Sequence, residues 1–120
     1  MMEWHIGAVE SRFADMIWES APVASGVLAK KSAELLGWKK STTYTVLKRL
    51  CDKGLFVNDG GTVKVLLSKD EFYRLRSVKF VDETFNGSLP AFLAAFTANQ
   101  KLSEEDIAKL RQIVDSYGEE

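Results

Sequence analysis

Between Gly37 and Phe56 the chain reads Gly-Trp-Lys-Lys-Ser-Thr-Thr-Tyr-Thr-Val-Leu-Lys-Arg-Leu-Cys-Asp-Lys-Gly-Leu-Phe, and this stretch restricts the fold more tightly than any other. A helix from about Ser41 to Lys53 places Thr43, Leu47, Leu50 and Cys51 on one face, at the three- and four-residue spacing of a buried stripe. The opposite face carries Ser41, Thr42, Thr45, Arg49 and Asp52, with Lys48 on its flank and Lys39 and Lys40 just ahead of the first turn. Gly54 then suits a left-handed helix cap, and Leu55-Phe56-Val57 begins a strand at once.

That strand and Val63-Lys64-Val65-Leu66-Leu67 are separated by Asn58-Asp59-Gly60-Gly61-Thr62, a cluster of turn formers that predicts a β-hairpin with the second strand ending at Ser68. A helix running straight into a hairpin is the second half of a winged helix-turn-helix. The exposed edge fits the DNA major groove: hydroxyls exchange hydrogen bonds with base edges, threonine methyls pack on thymine methyls, and lysines beside a helix N-terminus reach phosphates. The alternative is an ordinary amphipathic helix whose solvated face happens to contain threonines.

Charge favours the first reading locally. The 120 residues carry a formal net charge of −1, so the whole molecule is no basic nucleic-acid binder. Gly26 to Lys53 nevertheless nets +5 and Asp70 to the end nets −4, which fits a phosphate footprint in the middle and a different task for the tail. A chain this short holds one core with an extension. The expected division is a DNA-binding domain over 1–69 and a helical dimerisation region over 70–120. The single cysteine, Cys51, excludes an internal disulfide and a cysteine cluster for a metal; it reads as a small core residue, with a redox sensor as the alternative. No run approaches the ~20 apolar residues of a membrane span and no signal sequence is evident, so a cytoplasmic location without membrane contact is expected. No cofactor is implied.

Ahead of the organising helix, Val9, Phe13, Met16 and Ile17 share one side of a helix over about Ala8 to Glu19, which Ser20-Ala21-Pro22 stops. Val23 leaves room for a short extended segment. A second helix from Ala24 or Ser25 carries Val27 and Leu28 inward and fades near Gly37. Trp38 reads as an aromatic wedge in the core, with base stacking as the alternative.

Behind the hairpin, Ser68 and Glu71 form a capping box that launches a helix. Phe72, Leu75, Val78 and Val81 to Phe85 make its apolar side, and Asn86-Gly87-Ser88-Leu89-Pro90 breaks it. Phe92, Leu93 and Phe96 mark a further helix. Ser103 with Asp106 begins a last one, whose stripe is Ile107, Leu110, Ile113, Val114 and Tyr117. Three such helices after a completed wing carry more apolar surface than a small lone domain hides, so self-association is expected, through Phe72, Leu75, Phe92, Leu93, Phe96, Ile107, Leu110 and Val114. Folding back onto the same chain is the alternative.

In order, the segments Met16-Ile17-Trp18-Glu19, Pro22-Val23, Gly37-Trp38-Lys39-Lys40-Ser41-Thr42-Thr43-Tyr44-Thr45-Val46-Leu47-Lys48-Arg49-Leu50 and Lys53-Gly54-Leu55 resemble the penicillinase-repressor family. Leu66 to Phe72 and Leu102 to Ile107 extend the match across nearly the whole chain. These are transcriptional repressors of β-lactamase and methicillin-resistance genes and of some copper-homeostasis operons. The resemblance implies a homodimer on palindromic operators of double-stranded DNA, with Lys40, Thr42 and Thr45 as recognition contacts and Phe92 to Phe96 in dimerisation helices. It also brings a regulatory protease as a partner, since β-lactam-responsive members are cut at an Asn-Phe bond. The counterpart here is Ala95-Phe96, so that cleavage is not expected. Copper-sensing members use a cysteine-rich tail, and copper binding is not expected either.

Enzymatic readings lack a convergent polar pocket. His5 has no second histidine to pair with, and Glu104-Glu105-Asp106 are acids that a first helical turn attracts through its dipole. The remaining rival is a winged helix used as a protein-interaction module without DNA binding, which would have no need of Lys39, Lys40, Thr42, Thr45 and Arg49 on one edge.

Overall fold

In the computed structural model, residues 6–118 are described; His5 lies outside them. The elements run α1 (Ala8–Ser20), β1 (Val23–Ala24), α2 (Ser25–Leu36), α3 (Lys40–Asp52), β2 (Phe56–Asp59), β3 (Thr62–Val65), α4 (Lys69–Phe85), α5 (Leu89–Thr97) and α6 (Glu104–Tyr117). This is the mostly helical winged helix with C-terminal helices that the hydrophobic periods predict. By compactness the chain divides between Val78 and Lys79, inside α4.

The first unit closes around one core. Phe13, Ala14 and Ile17 of α1, Leu28 of α2, Val46, Leu47 and Leu50 of α3, Leu55, Phe56 and Val63 of the hairpin, and Phe72 of α4 are all buried in it. Two valines expected inside are half exposed: Val9 at 50% stands in the first turn of α1, and Val27 at 45% lies about 100° around the helix from Leu28. The inward face of α2 is instead Ser25, Leu28, Ala29 and Ser32. Trp38 packs against the core with its ring 5.2 Å from that of Phe13, as the wedge reading requires. Trp18 stacks near Phe56 and Phe72, at 5.3 and 5.8 Å, while its indole N–H donates to the Leu67 carbonyl at 3.0 Å. One amphipathic ring thus ties α1 to the hairpin and to α4.

The sheet is antiparallel in the order β1-β3-β2, and Val63 faces Val23 on one side and Asn58 on the other. Asp59 pairs with Thr62, which leaves a two-residue turn of Gly60 and Gly61 at φ +58° and +96°. Both angles lie where only glycine is comfortable, and a turn of this hand matches the twist of the strands. β3 ends at Val65, short of the expected Ser68. Leu66 and Leu67 leave the ladder because both amides donate to the single Leu55 carbonyl, at 3.0 and 3.1 Å, and the chain swings into α4. There Ser68 and Glu71 bond reciprocally, Ser68 N–H to the Glu71 carboxylate and Glu71 N–H to the Ser68 hydroxyl.

The first unit therefore reaches past the 69/70 boundary expected from the sequence, since Phe72 and the turn around it complete its core. Phe72, expected at a dimer interface, is fully buried there, and Leu75 also falls in this unit.

The second unit holds the end of α4, with α5 and α6. Ser88 caps α5 by accepting from the Ala91 amide, Pro90 sits in its first turn, and Ser103 caps α6 by accepting from Asp106. Phe80, Phe85, Phe92 and Phe96 form a ring chain with neighbouring centroids 5.6–6.1 Å apart. No residue of α5 or α6 is fully buried, and Phe96, Val114 and Tyr117 stand 53%, 66% and 85% exposed.

Candidate nucleic-acid interface

The candidate site is built on α3, and the core decides its orientation. Thr43, Val46, Leu47 and Leu50 are buried, with Cys51 half-buried beside them, so the helix cannot rotate about its axis without exposing them. Val46 was not among the residues expected inside. Lys53, Gly54 and Leu55 close the C-terminus: the Leu55 amide reaches back to the Leu50 carbonyl at 3.2 Å across Gly54, whose φ of +88° makes it the left-handed cap. At the other end the Tyr44 hydroxyl meets the Ser25 hydroxyl at 3.1 Å, pinning the start of α2 to α3.

With the reverse face fixed, Lys39, Lys40, Ser41, Thr42, Thr45, Lys48 and Arg49 are all exposed. All seven lie on α3 or its N-terminal approach with their side chains reaching solvent. They are not equally unengaged. Lys48 pairs with Asp52 one turn on, at 3.4 Å, between side chains that are both largely in water. Arg49 donates to Glu10 of α1 at 3.0 Å, and Lys53 lies 3.8 Å from the other oxygen of the same carboxylate. The water-exposed Lys48–Asp52 pair is worth ~0–1 kcal/mol, so a phosphate can compete for Lys48, whereas Arg49 and Lys53 share the mostly buried Glu10 carboxylate. The Thr45 hydroxyl donates to the Ser41 carbonyl at 2.9 Å.

Three contributors escaped the sequence reading. Lys64 of β3 projects from the wing and pairs with Asp59 at 3.0 Å; its place next to buried Val63 in a strand was the available signal. Glu10 and Tyr44 act across elements, and nothing in their local sequence names Arg49 or Ser25 as partners. A cleft between α3 and β2 is lined by Tyr44, Leu47, Lys48, Cys51, Val57 and Asn58. Burial, reinforced by the Asp52 charge, raises the Cys51 thiol above its ordinary pKa, which favours a packing residue over a thiolate sensor.

Among the described residues no group of three or more His, Cys, Asp or Glu side chains could hold a metal ion, and Glu104, Glu105 and Asp106 lie in the first turn of α6. No described helix is long and apolar enough to cross a membrane. Of the residues expected at a dimer interface, Phe92, Leu93, Ile107 and Leu110 are half-buried in the second unit, while Phe96 and Val114 are exposed. Ala95 and Phe96 are both exposed on α5.

The family model for the penicillinase repressor matches residues 6–116. The chain is 27% identical over 116 residues to the penicillinase repressor of Bacillus licheniformis, covering 93% of this chain and 91% of that one. It is 21% identical over 117 residues to the methicillin resistance regulatory protein MecI of Staphylococcus aureus (strain Mu50), covering 93% and 94%.

Proposed function

Because the chain belongs to the penicillinase repressor family, whose members are DNA-binding transcriptional repressors and not enzymes, we propose that it represses transcription in the cytoplasm as a homodimer on a palindromic operator. The observation that carries this reading is the two-sidedness of α3: four buried residues fix its back, and all seven candidate contacts are exposed on its front. Ser41, Thr42 and Thr45 are the base-reading residues. Lys39 and Lys40 hold phosphates beside the helix N-terminus, and Lys48, Arg49 and the wing residue Lys64 add backbone contacts. The second copy supplies the other half-site, held through the C-terminal unit by Phe92, Leu93, Phe96, Ile107, Leu110 and Val114. Phe72 and Leu75 leave that set, since both fall in the first unit and burial in its core already uses Phe72.

Cleavage between Ala95 and Phe96 in response to β-lactams is not part of this reading. A protease pocket built for an asparagine amide would meet the Ala95 methyl and leave a buried polar group unpaired.

Titrating a fluorescent duplex of the chain's own promoter with the full-length protein at several salt concentrations tests the proposal. Affinity should fall steeply with salt, the log–log slope steepening by roughly 0.9 for each neutralised phosphate. Lys40→Ala should weaken binding to all sequences alike, and Thr42→Ala should cost about 1–3 kcal/mol on the preferred sequence alone. A response flat in salt, or no binding, would favour the protein-interaction module instead.

A further inference from the structure

A threonine hydroxyl has one proton to donate, and at position 45 that proton is already placed. Thr45 Oγ1 lies 2.9 Å from the Ser41 carbonyl oxygen one turn back, in the geometry of a hydroxyl donating to its own helix. To donate to guanine O6 or N7, or to adenine N7, the side chain would have to give up this bond. The Cβ is tetrahedral, so fixing Oγ1 on the carbonyl sends the methyl group away from it. The side chain as a whole is exposed, on the edge of α3 that also carries Ser41 and Arg49 one turn to either side. What Thr45 offers a groove is therefore an apolar group first, with oxygen lone pairs second. The apolar feature of the major groove is the C5-methyl of thymine.

The geometry points to Thr45 as a thymine-methyl reader: specificity at its position comes from methyl–methyl packing, with the hydroxyl satisfied inside the helix. This rests on the DNA-binding reading above. It divides the two chemical halves of one side chain, so conservative substitutions separate them. Thr45→Val keeps the methyl and removes the hydroxyl, Thr45→Ser does the reverse, and Thr45→Ala removes both. The probe is a duplex enriched by the wild-type full-length chain from a randomised-sequence library, and the readout is fluorescence anisotropy. Melting curves monitored by circular dichroism establish that each variant is folded.

Thr45→Val is expected to bind within about twofold of the wild type. Thr45→Ser and Thr45→Ala are expected to lose about fourfold per half-site, hence about fifteenfold for a dimer on two half-sites, the scale of one buried methyl group each. Replacing thymines one at a time by deoxyuridine, which lacks only the methyl, should cost the wild type that same factor at one position per half-site. At that position Thr45→Ser should be nearly insensitive. If Thr45→Val falls as far as Thr45→Ala, if Thr45→Ser binds like the wild type, or if no thymine position couples to residue 45, the inference is overturned. A library that yields no enriched sequence overturns the DNA-binding reading itself, and this inference with it.

Discussion

The two halves of the chain bury their apolar residues in opposite ways. Residues up to Val78 close around a core in which Phe13, Ile17, Leu28, Leu50, Leu55, Phe56, Val63 and Phe72 are inaccessible to water. The helices beyond Lys79 are as rich in phenylalanine and leucine, yet none of the residues of α5 and α6 is fully buried. The difference is one of completeness. The first unit closes a buried core within one chain, with Leu35 and Leu66 left outside it, whereas the second presents a ring chain and an α6 stripe that reach full burial only when something covers them. In the proposed dimer a second copy would do so, and its two-fold axis would turn one helix in a groove into two.

Cutting the chain breaks this comparison most severely. Truncation after Lys69 removes Phe72 and should leave the first unit unfolded by circular dichroism, whereas truncation after Val78 should leave it folded and monomeric. Full-length Phe72→Ala sharpens the same point: it should lose about 3–5 kcal/mol in denaturant unfolding of the first unit, as a fully buried aromatic does. Next in size is Phe96→Asp. It should leave the melting of the first unit in place and raise the dimer dissociation constant about thirtyfold, read by sedimentation, as loss of an interface hot spot does. A Phe96→Asp chain that stays dimeric would mean that the uncovered face serves another purpose.

The smallest effect concerns the cap where α4 begins. Ser68→Ala should cost ~1 kcal/mol at neutral pH, as loss of a serine cap does. Hydrogen bonding from Ser68, first its side chain and then its backbone, holds the Glu71 carboxyl below its ordinary pKa. A depressed folded-state value stabilises above the ordinary glutamate pKa and is lost as pH falls through the lowered one. The gap between wild type and Ser68→Ala should therefore narrow in acid, as followed by thermal melting.

Most of the fold could be read from the sequence because its signals are local. Ser68-Lys69-Asp70-Glu71 writes a helix start, Gly60-Gly61 writes a hairpin turn, and the α3 stripe writes both its core and its exposed edge. The exposure of the α3 edge was legible for the same reason: a helix with one face committed to the core has no choice about the other. Periodicity does not report which core a stripe joins. Phe72 begins an apolar side that continues to Phe85, and only the path of Leu66 and Leu67 back to Leu55 delivers it to the first unit. Glu10 with Arg49, and Ser25 with Tyr44, pair residues 39 and 19 positions apart, and no spacing rule connects them.

The most direct test is the mass of the complex. Full-length protein saturating the duplex enriched from the random library, measured by native mass spectrometry, should give two chains per duplex, with that stoichiometry lost in Phe96→Asp. One chain per duplex at saturation, or no complex, would contradict a dimer that reads DNA through α3.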